Sequence, residues 1–270
     1  MIIDDWDDAY ANGAHIEGAA DYPPRWAAAA AAFREALGAL AEIDVAYGEG
    51  ERNRFDLFRP DGAARGLVVF IHGGYWRAFD KSFWSHLATG PLARGWAVAM
   101  PSYTLAPEAR IAEITREVAA ATEAAAARVS GPIRLTGHSA GGHLASRMVC
   151  ENGPLAPEVA DRVERVVSIS GLHDLRPLLR TEMNADFRLD AAEAAAESPA
   201  LLRPRLGARV TCWVGAEERP EFVRQNALLA NVWTGLGADM DVHEAPGEHH
   251  FNVIDRLADP NAPLCRALCD

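Results

Sequence analysis

Ser139 stands in Gly137-His138-Ser139-Ala140-Gly141, a G-x-S-x-G run. Glycines frame a serine in this way when it sits on a sharp strand-to-helix turn that leaves no room for side chains beside it. The flanks agree, since 133–136 reads as a short strand and 142–149 as a helix. A serine hydroxyl is a weak nucleophile until a base takes its proton, so the chain must supply a histidine and an acid to orient that histidine. The late histidines are His249 and His250. Only one of two neighbours can face the serine, and His250 is the better placed, because His-Phe opens a helix-like stretch over 251–257 that fixes the ring at a corner. His249 is the alternative. For the acid, Glu217 and Glu218 lie in the loop after the apolar run 210–214, and Asp174 follows the run before it. Glu221 reads as a cap of the next helix.

Acyl transfer also needs hydrogen-bond donors for a tetrahedral oxyanion. The amide of Ala140, first in the helix after the serine, is one by position. Gly73 and Gly74, in His72-Gly73-Gly74-Tyr75-Trp76, are the others, since glycine lets that loop turn its amides inward. Trp76 reads as a wedge of that loop against the sheet. His72 is expected to pin the loop, and His138 and His143 to pack, whereas His15, His86, His173 and His243 carry no signal. Four cysteines, Cys150, Cys212, Cys265 and Cys269, lack metal-ligand pairing. No metal and no cofactor are expected.

Elements that would position these groups follow from the apolar pattern. Runs at 66–71, 96–100, 133–136, 163–170, 209–214 and 241–244 alternate with helix-like stretches, the signature of βαβ units around a parallel sheet. Two earlier runs, 43–47 and 54–58, alternate in polarity and predict an antiparallel edge with one solvated face. That makes roughly eight strands. Functional groups of such sheets gather at the carboxyl ends of the strands, and the serine, the His-Gly-Gly loop, the acids and the late histidines all fall there. Residues 1–40 form an expected N-terminal helical flap: an acidic start, a break at Tyr22-Pro23-Pro24, then a helix over 25–40 that either packs outside the sheet or covers the active-site mouth. Residues 41–270 form the catalytic domain.

A chain of 270 residues with 49% hydrophobic content suffices for one large α/β domain. Its net charge of −12 and lack of basic runs argue against nucleic acid and anionic membrane surfaces, leaving a small-molecule substrate. Lys81 is the only lysine among the 26 basic residues. An acidic N-terminus unlike a signal peptide, reduced cysteines and no apolar run near the roughly 18 residues of a span predict a cytoplasmic protein. Oligomeric state is not legible in the sequence. A binding protein that had kept only the shell would lack one of serine, histidine and acid, and none is missing.

The combined motifs His72-Gly73-Gly74-Tyr75-Trp76 and Gly137-His138-Ser139-Ala140-Gly141-Gly142-His143-Leu144 resemble those of kynurenine formamidases (arylformamidases), in the hormone-sensitive-lipase-like branch of the α/β-hydrolases. Ser170-Gly171-Leu172-His173-Asp174-Leu175 with Pro177-Leu178, Pro220-Glu221-Phe222 and His250-Phe251 extend the resemblance over most of the chain from about residue 66. The resemblance implies an α/β-hydrolase fold, a mostly parallel eight-stranded sheet flanked by helices. It also implies a Ser139, Glu218, His250 triad with the acid two positions before Pro220, and hydrolysis of the formamide of N-formylkynurenine, whose aromatic ring Tyr75 and Trp76 are candidates to contact, with carboxylic or thiol esters as the alternative substrates. That family generally carries aspartate where this chain has Glu218.

Overall fold

Apolar runs buried on both faces have no option but to become the interior of a parallel sheet. In the computed structural model, which describes residues 3–270, such runs form the middle of one eight-stranded sheet: β1 (Ala41–Ala46), β2 (Arg54–Phe58), β3 (Leu67–Ile71), β4 (Ala97–Pro101), β5 (Ile133–His138), β6 (Val163–Ile169), β7 (Arg209–Gly215) and β8 (Asp239–Ala245), with the edge strands β1 and β8 largely exposed. Met1 and Ile2, the start of the expected flap, lie outside the described residues. The order is β1-β2-β4-β3-β5-β6-β7-β8. β2 runs antiparallel to β1 and β4, and every other pairing is parallel. Strand β3 shows the logic of the period of two: Leu67, Val69 and Ile71 enter one core, Val68 and Phe70 the other. The first core receives α3 (Ile111–Ala126), α4 (Ala140–Arg147) and α5 (Pro220–Gly235). The second receives residues of α2 (Tyr22–Leu37) and α6 (Pro263–Cys269). Preceding α2 is the short α1 (Trp6–Tyr10), capped where the Asp8 N–H donates to Asp5 Oδ1 at 3.0 Å. Among the described residues no helix is long and apolar enough to cross a membrane.

Two sequence expectations are corrected. The alternation at 54–58 predicted a solvated face, but β2 lies between β1 and β4, and all its residues after Arg54 are buried. Its polar residue, Asp56, is fully buried against Lys81 Nζ at 2.7 Å, and that ammonium also meets Asp44 at 2.7 Å. A buried carboxylate is tolerated when it is paired, so alternation here marks an ion pair instead of solvent. Tyr22-Pro23-Pro24 does not break the chain either. It starts α2, because the first helical turn has amides without intrahelical partners and proline gives up nothing there. The helix-like stretch 251–257 is 3-10 in character, from Val253 to Ala258.

Candidate active site

β5 ends at His138 and α4 begins at Ala140, so Ser139 alone makes the turn, at φ 56°, ψ −117°. The glycines on either side are required by contact. A Cβ on Gly137 would lie 2.3 Å from the Gly141 carbonyl oxygen, and one on Gly141 would lie 1.9 Å from that of Ile71. Two backbone bonds fix the serine: its N–H donates to Ile169 O at 2.8 Å, and its carbonyl accepts from the His143 N–H at 3.1 Å. A positive φ at a non-glycine costs on the order of 1–3 kcal/mol, and such strain concentrates where side-chain placement matters.

The loop after β3 approaches this turn closely. A Cβ on Gly73 would come within 2.8 Å of the His138 carbonyl oxygen and 3.2 Å of Ser139 Cβ. Gly74 adopts φ +106°, with Ala78 O where a Cβ would stand, at 2.4 Å. His72 anchors the loop by donating from Nδ1 to Gly73 O at 2.7 Å while its ring stacks on Tyr103 at 4.3 Å. Tyr103 in turn donates to His72 O at 2.9 Å. Tyr75, Trp76 and Phe79 also have positive φ, unusual for bulky residues.

Opposite lies the candidate acid. Glu218 is buried, and its Oε2 is 2.6 Å from His250 Nδ1. A carboxylate can only accept here, so Nδ1 carries the proton and Nε2 is left as the free acceptor. The other carboxylate oxygen, Oε1, accepts from Ser170 Oγ at 2.5 Å and from the Gly215 N–H at 2.8 Å. The His250 ring is held between His138 and Phe222, each 4.5 Å away centroid to centroid. His250 and Ser139 line the same cavity.

The alternatives go elsewhere. Glu217 is exposed. Asp174 forks with Arg176 at 2.9 and 2.8 Å; burial raises its pKa, but the hydrogen bonds from Arg176 outweigh it and hold the carboxyl below its ordinary value. His249 accepts from the Phe251 N–H at Nδ1 and meets the Tyr22 hydroxyl at Nε2, both at 3.1 Å, so its ring faces α2. Burial pushes His72 down to about 4 and His143 to about 3, and holds His138 well below the usual imidazole range. Those rings are too weakly basic to take a hydroxyl proton near neutrality.

The cavity above Ser139 has a volume of about 610 Å³. Gly74, His138, Ser139 and His250 line it together with the aromatic side chains Trp26, Tyr75, Phe79, Trp84 and Phe251. Trp26 and Trp84 lie 4.6 Å apart. Asp7, Arg77 and Glu182 stand among its polar lining. Tyr75 reaches the cavity and donates its hydroxyl to Tyr10 O at 2.6 Å. Trp76 does not reach it, which corrects the expectation for that residue: it is fully buried, edge-on to His143 at 5.1 Å and Phe187 at 5.6 Å. With φ at 54°, the loop turns this side chain into the core. Tyr10, Ala11, Asn12 and Gly13 also line the cavity, so residues ahead of β1 contribute to the wall and do not merely pack outside the sheet.

Sequence reasoning missed Trp26, Phe79, Trp84 and Phe251 as cavity residues. No local spacing links them, since they meet only through the packing of α2 against the loops after β3 and β8. Ser170 was missed for a different reason: it stood at a strand end with a polar side chain, and only its partner across β7 gives it a role.

Residues 68–253 match the family model described as the alpha/beta hydrolase fold. The chain is 28% identical over 237 residues to the kynurenine formamidase of Danio rerio, covering 84% of this chain and 80% of that one. It is 29% identical over 245 residues to that of Drosophila melanogaster, covering 84% and 76%. Among solved structures, a Silicibacter sp. tm1040 protein provisionally described as a thioesterase is 55% identical, with a TM-score of 0.95 over 98% of this chain and 99% of that one. Esterase 2 of Thermogutta terrifontis, at 19% identity and TM-score 0.66 over 85% and 91%, shares the fold.

Proposed function

We propose that this chain, which belongs to the alpha/beta hydrolase family, acts on small acyl or formyl substrates as its formamidase relatives do, and that it is a serine hydrolase of arylformamides with N-formylkynurenine as its best substrate. The observation that carries this reading is one cavity lined by Ser139, His250 and several aromatic side chains, with Glu218 2.6 Å from the histidine. An aromatic enclosure of this kind favours an aryl group through apolar burial and edge-to-face contacts.

In the proposed mechanism His250 Nε2 takes the Ser139 proton as Oγ attacks the formyl carbon. The C=O electron pair moves to oxygen, and the oxyanion rests on the amides of Gly73, Gly74 and Ala140. Collapse breaks the C–N bond, and His250 delivers its proton to the departing arylamine. Water, deprotonated by the same imidazole, then hydrolyses the formyl ester to formate and returns the proton to Ser139. Glu218 holds the imidazole in the Nδ1–H form and stabilises the imidazolium at each transfer.

A second reading, an esterase or thioesterase, is supported by the 55% identical Silicibacter relative. The two separate cleanly in a rate comparison on N-formylkynurenine, p-nitrophenyl acetate and an acyl thioester. The arylformamidase reading expects kcat/KM of about 10⁴ M⁻¹s⁻¹ or more on the formamide and at least tenfold less on the others. Turnover of ester or thioester without the formamide would transfer the protein to the second reading.

The loop makes a further expectation. Gly74→Ala places a Cβ 2.4 Å from Ala78 O at φ +106°, so the loop must move and its amide with it. Losing one oxyanion donor costs about 10²- to 10³-fold in kcat, with a smaller change in KM. Steady-state kinetics on protein verified as folded by circular dichroism would check it, and activity within threefold of wild type would remove Gly74 from the oxyanion hole.

A further inference from the structure

Ser170 lies at the end of β6, fully buried, with φ at +53°. The left-handed region costs a non-glycine residue strain that glycine avoids, so a serine persists there only if its side chain is used. Its hydroxyl hydrogen goes to Glu218 Oε1 at 2.5 Å, and its N–H donates to Trp213 O at 2.6 Å, which sets the hydroxyl's direction. Gly215 supplies a second donor to the same oxygen at 2.8 Å. Oε1 is thereby held on one side, and Oε2 is left facing His250 Nδ1 at 2.6 Å.

We propose that Ser170 is a positioning residue that makes a glutamate serviceable as the acid of this site. A glutamate carries one more rotatable bond than an aspartate, and a free carboxylate on that longer arm would spread over several rotamers and lose its hydrogen bond to the imidazole. Two donors converging on one carboxylate oxygen remove that freedom. Hydrogen bonds to an ionised acceptor are about twice as strong as neutral ones, and of these two anchors only the hydroxyl can be removed by a side-chain substitution. This inference rests on the reading of Glu218 as the acid, and the experiment separates the two.

The test uses Ser170→Gly and Ser170→Ala. Glycine relieves the backbone at φ +53° while deleting the hydroxyl, so a purely structural serine predicts unchanged or improved catalysis in that variant. The positioning role predicts that both variants stay folded, with melting temperatures within a few degrees of wild type, and that kcat on N-formylkynurenine falls about 10- to 100-fold with KM within about threefold. In a Glu218→Gln background the same substitutions should cost less than about threefold more, because the group they position has already been disabled. Wild-type kcat in folded Ser170→Gly, alongside a collapsed Glu218→Gln, would overturn the role of Ser170 and leave the acid in place. A fully active Glu218→Gln would instead overturn the acid, and Ser170 with it.

Discussion

Ser139→Ala is expected to lower kcat on the formamide by about 10⁵- to 10⁶-fold while the protein stays folded. The size follows from the role: without a nucleophile no acyl-enzyme forms, and what remains is the acceleration that binding and oxyanion donors give to direct attack by water, about 10³- to 10⁴-fold over solution. The fold should tolerate the change because alanine keeps the Cβ that the turn already accommodates at φ 56°. The two backbone bonds that hold the residue, to Ile169 O and from the His143 N–H, do not involve the side chain. Substrate binding rests on the aromatic walls, so the dissociation constant should move little. His250→Ala should cost nearly as much, and the double variant scarcely more, since serine and histidine act as one unit. The measurements are single-turnover rates and labelling by a fluorophosphonate, which should vanish in both single variants. A Ser139→Ala protein with a tenth or more of wild-type activity would show that another group forms the acyl bond.

How much of this is legible in the chain alone depends on whether the deciding contact is local. The parallel strands were legible because burial on both faces writes itself into the chain as continuous apolar runs, and Val68, Val69 and Phe70 need no partner's identity to be read as strand. The mostly parallel eight-stranded sheet follows from that. β2 was misread because Asp56 looks like a solvent-facing position until Lys81, from a different loop, lies beside it. The glycines at 73, 137 and 141 were legible as steric necessities of a turn. Neighbouring residues of equal chemistry were not separable that way. Only the corner that His-Phe opens favours His250 over His249 in the sequence, and only the family resemblance favours Glu218 over Glu217; what distinguishes them physically is that one carboxylate points inward over Gly215 and one imidazole is hemmed by His138 and Phe222. Tyr75 and Trp76 divide similarly, because both have positive φ and only packing tells which faces the cavity. The aromatic walls contributed by Trp26 and Phe251 depend on where α2 lies, and no spacing encodes that.

Glu218→Gln should cost about 10⁴-fold in kcat, more than loss of one charge in an exposed place would suggest. The reason is where the amide must point. Oε1 occupies a position on which the Ser170 hydroxyl and the Gly215 N–H both converge as donors. A glutamine can satisfy both only with its carbonyl oxygen, since its NH₂ there would face the Gly215 N–H, which cannot accept, in a buried site. The NH₂ is then forced to the Oε2 position, 2.6 Å from His250 Nδ1. Nδ1 must accept, so the neutral ring carries its proton on Nε2, and that is the nitrogen that has to take the proton from Ser139. The variant is thus held in the wrong tautomer by the same contacts that hold the wild type in the right one. Glu218→Asp keeps the charge but is one methylene short of spanning from the Ser170 and Gly215 donors to the imidazole, so it should lose less, about 10- to 100-fold. Glu217→Gln and Asp174→Asn should stay within about threefold, because Glu217 is exposed and Asp174 is committed to Arg176. Comparison of kcat/KM across the four variants checks the argument. A collapse in Glu217→Gln or Asp174→Asn with an active Glu218→Gln would reassign the acid.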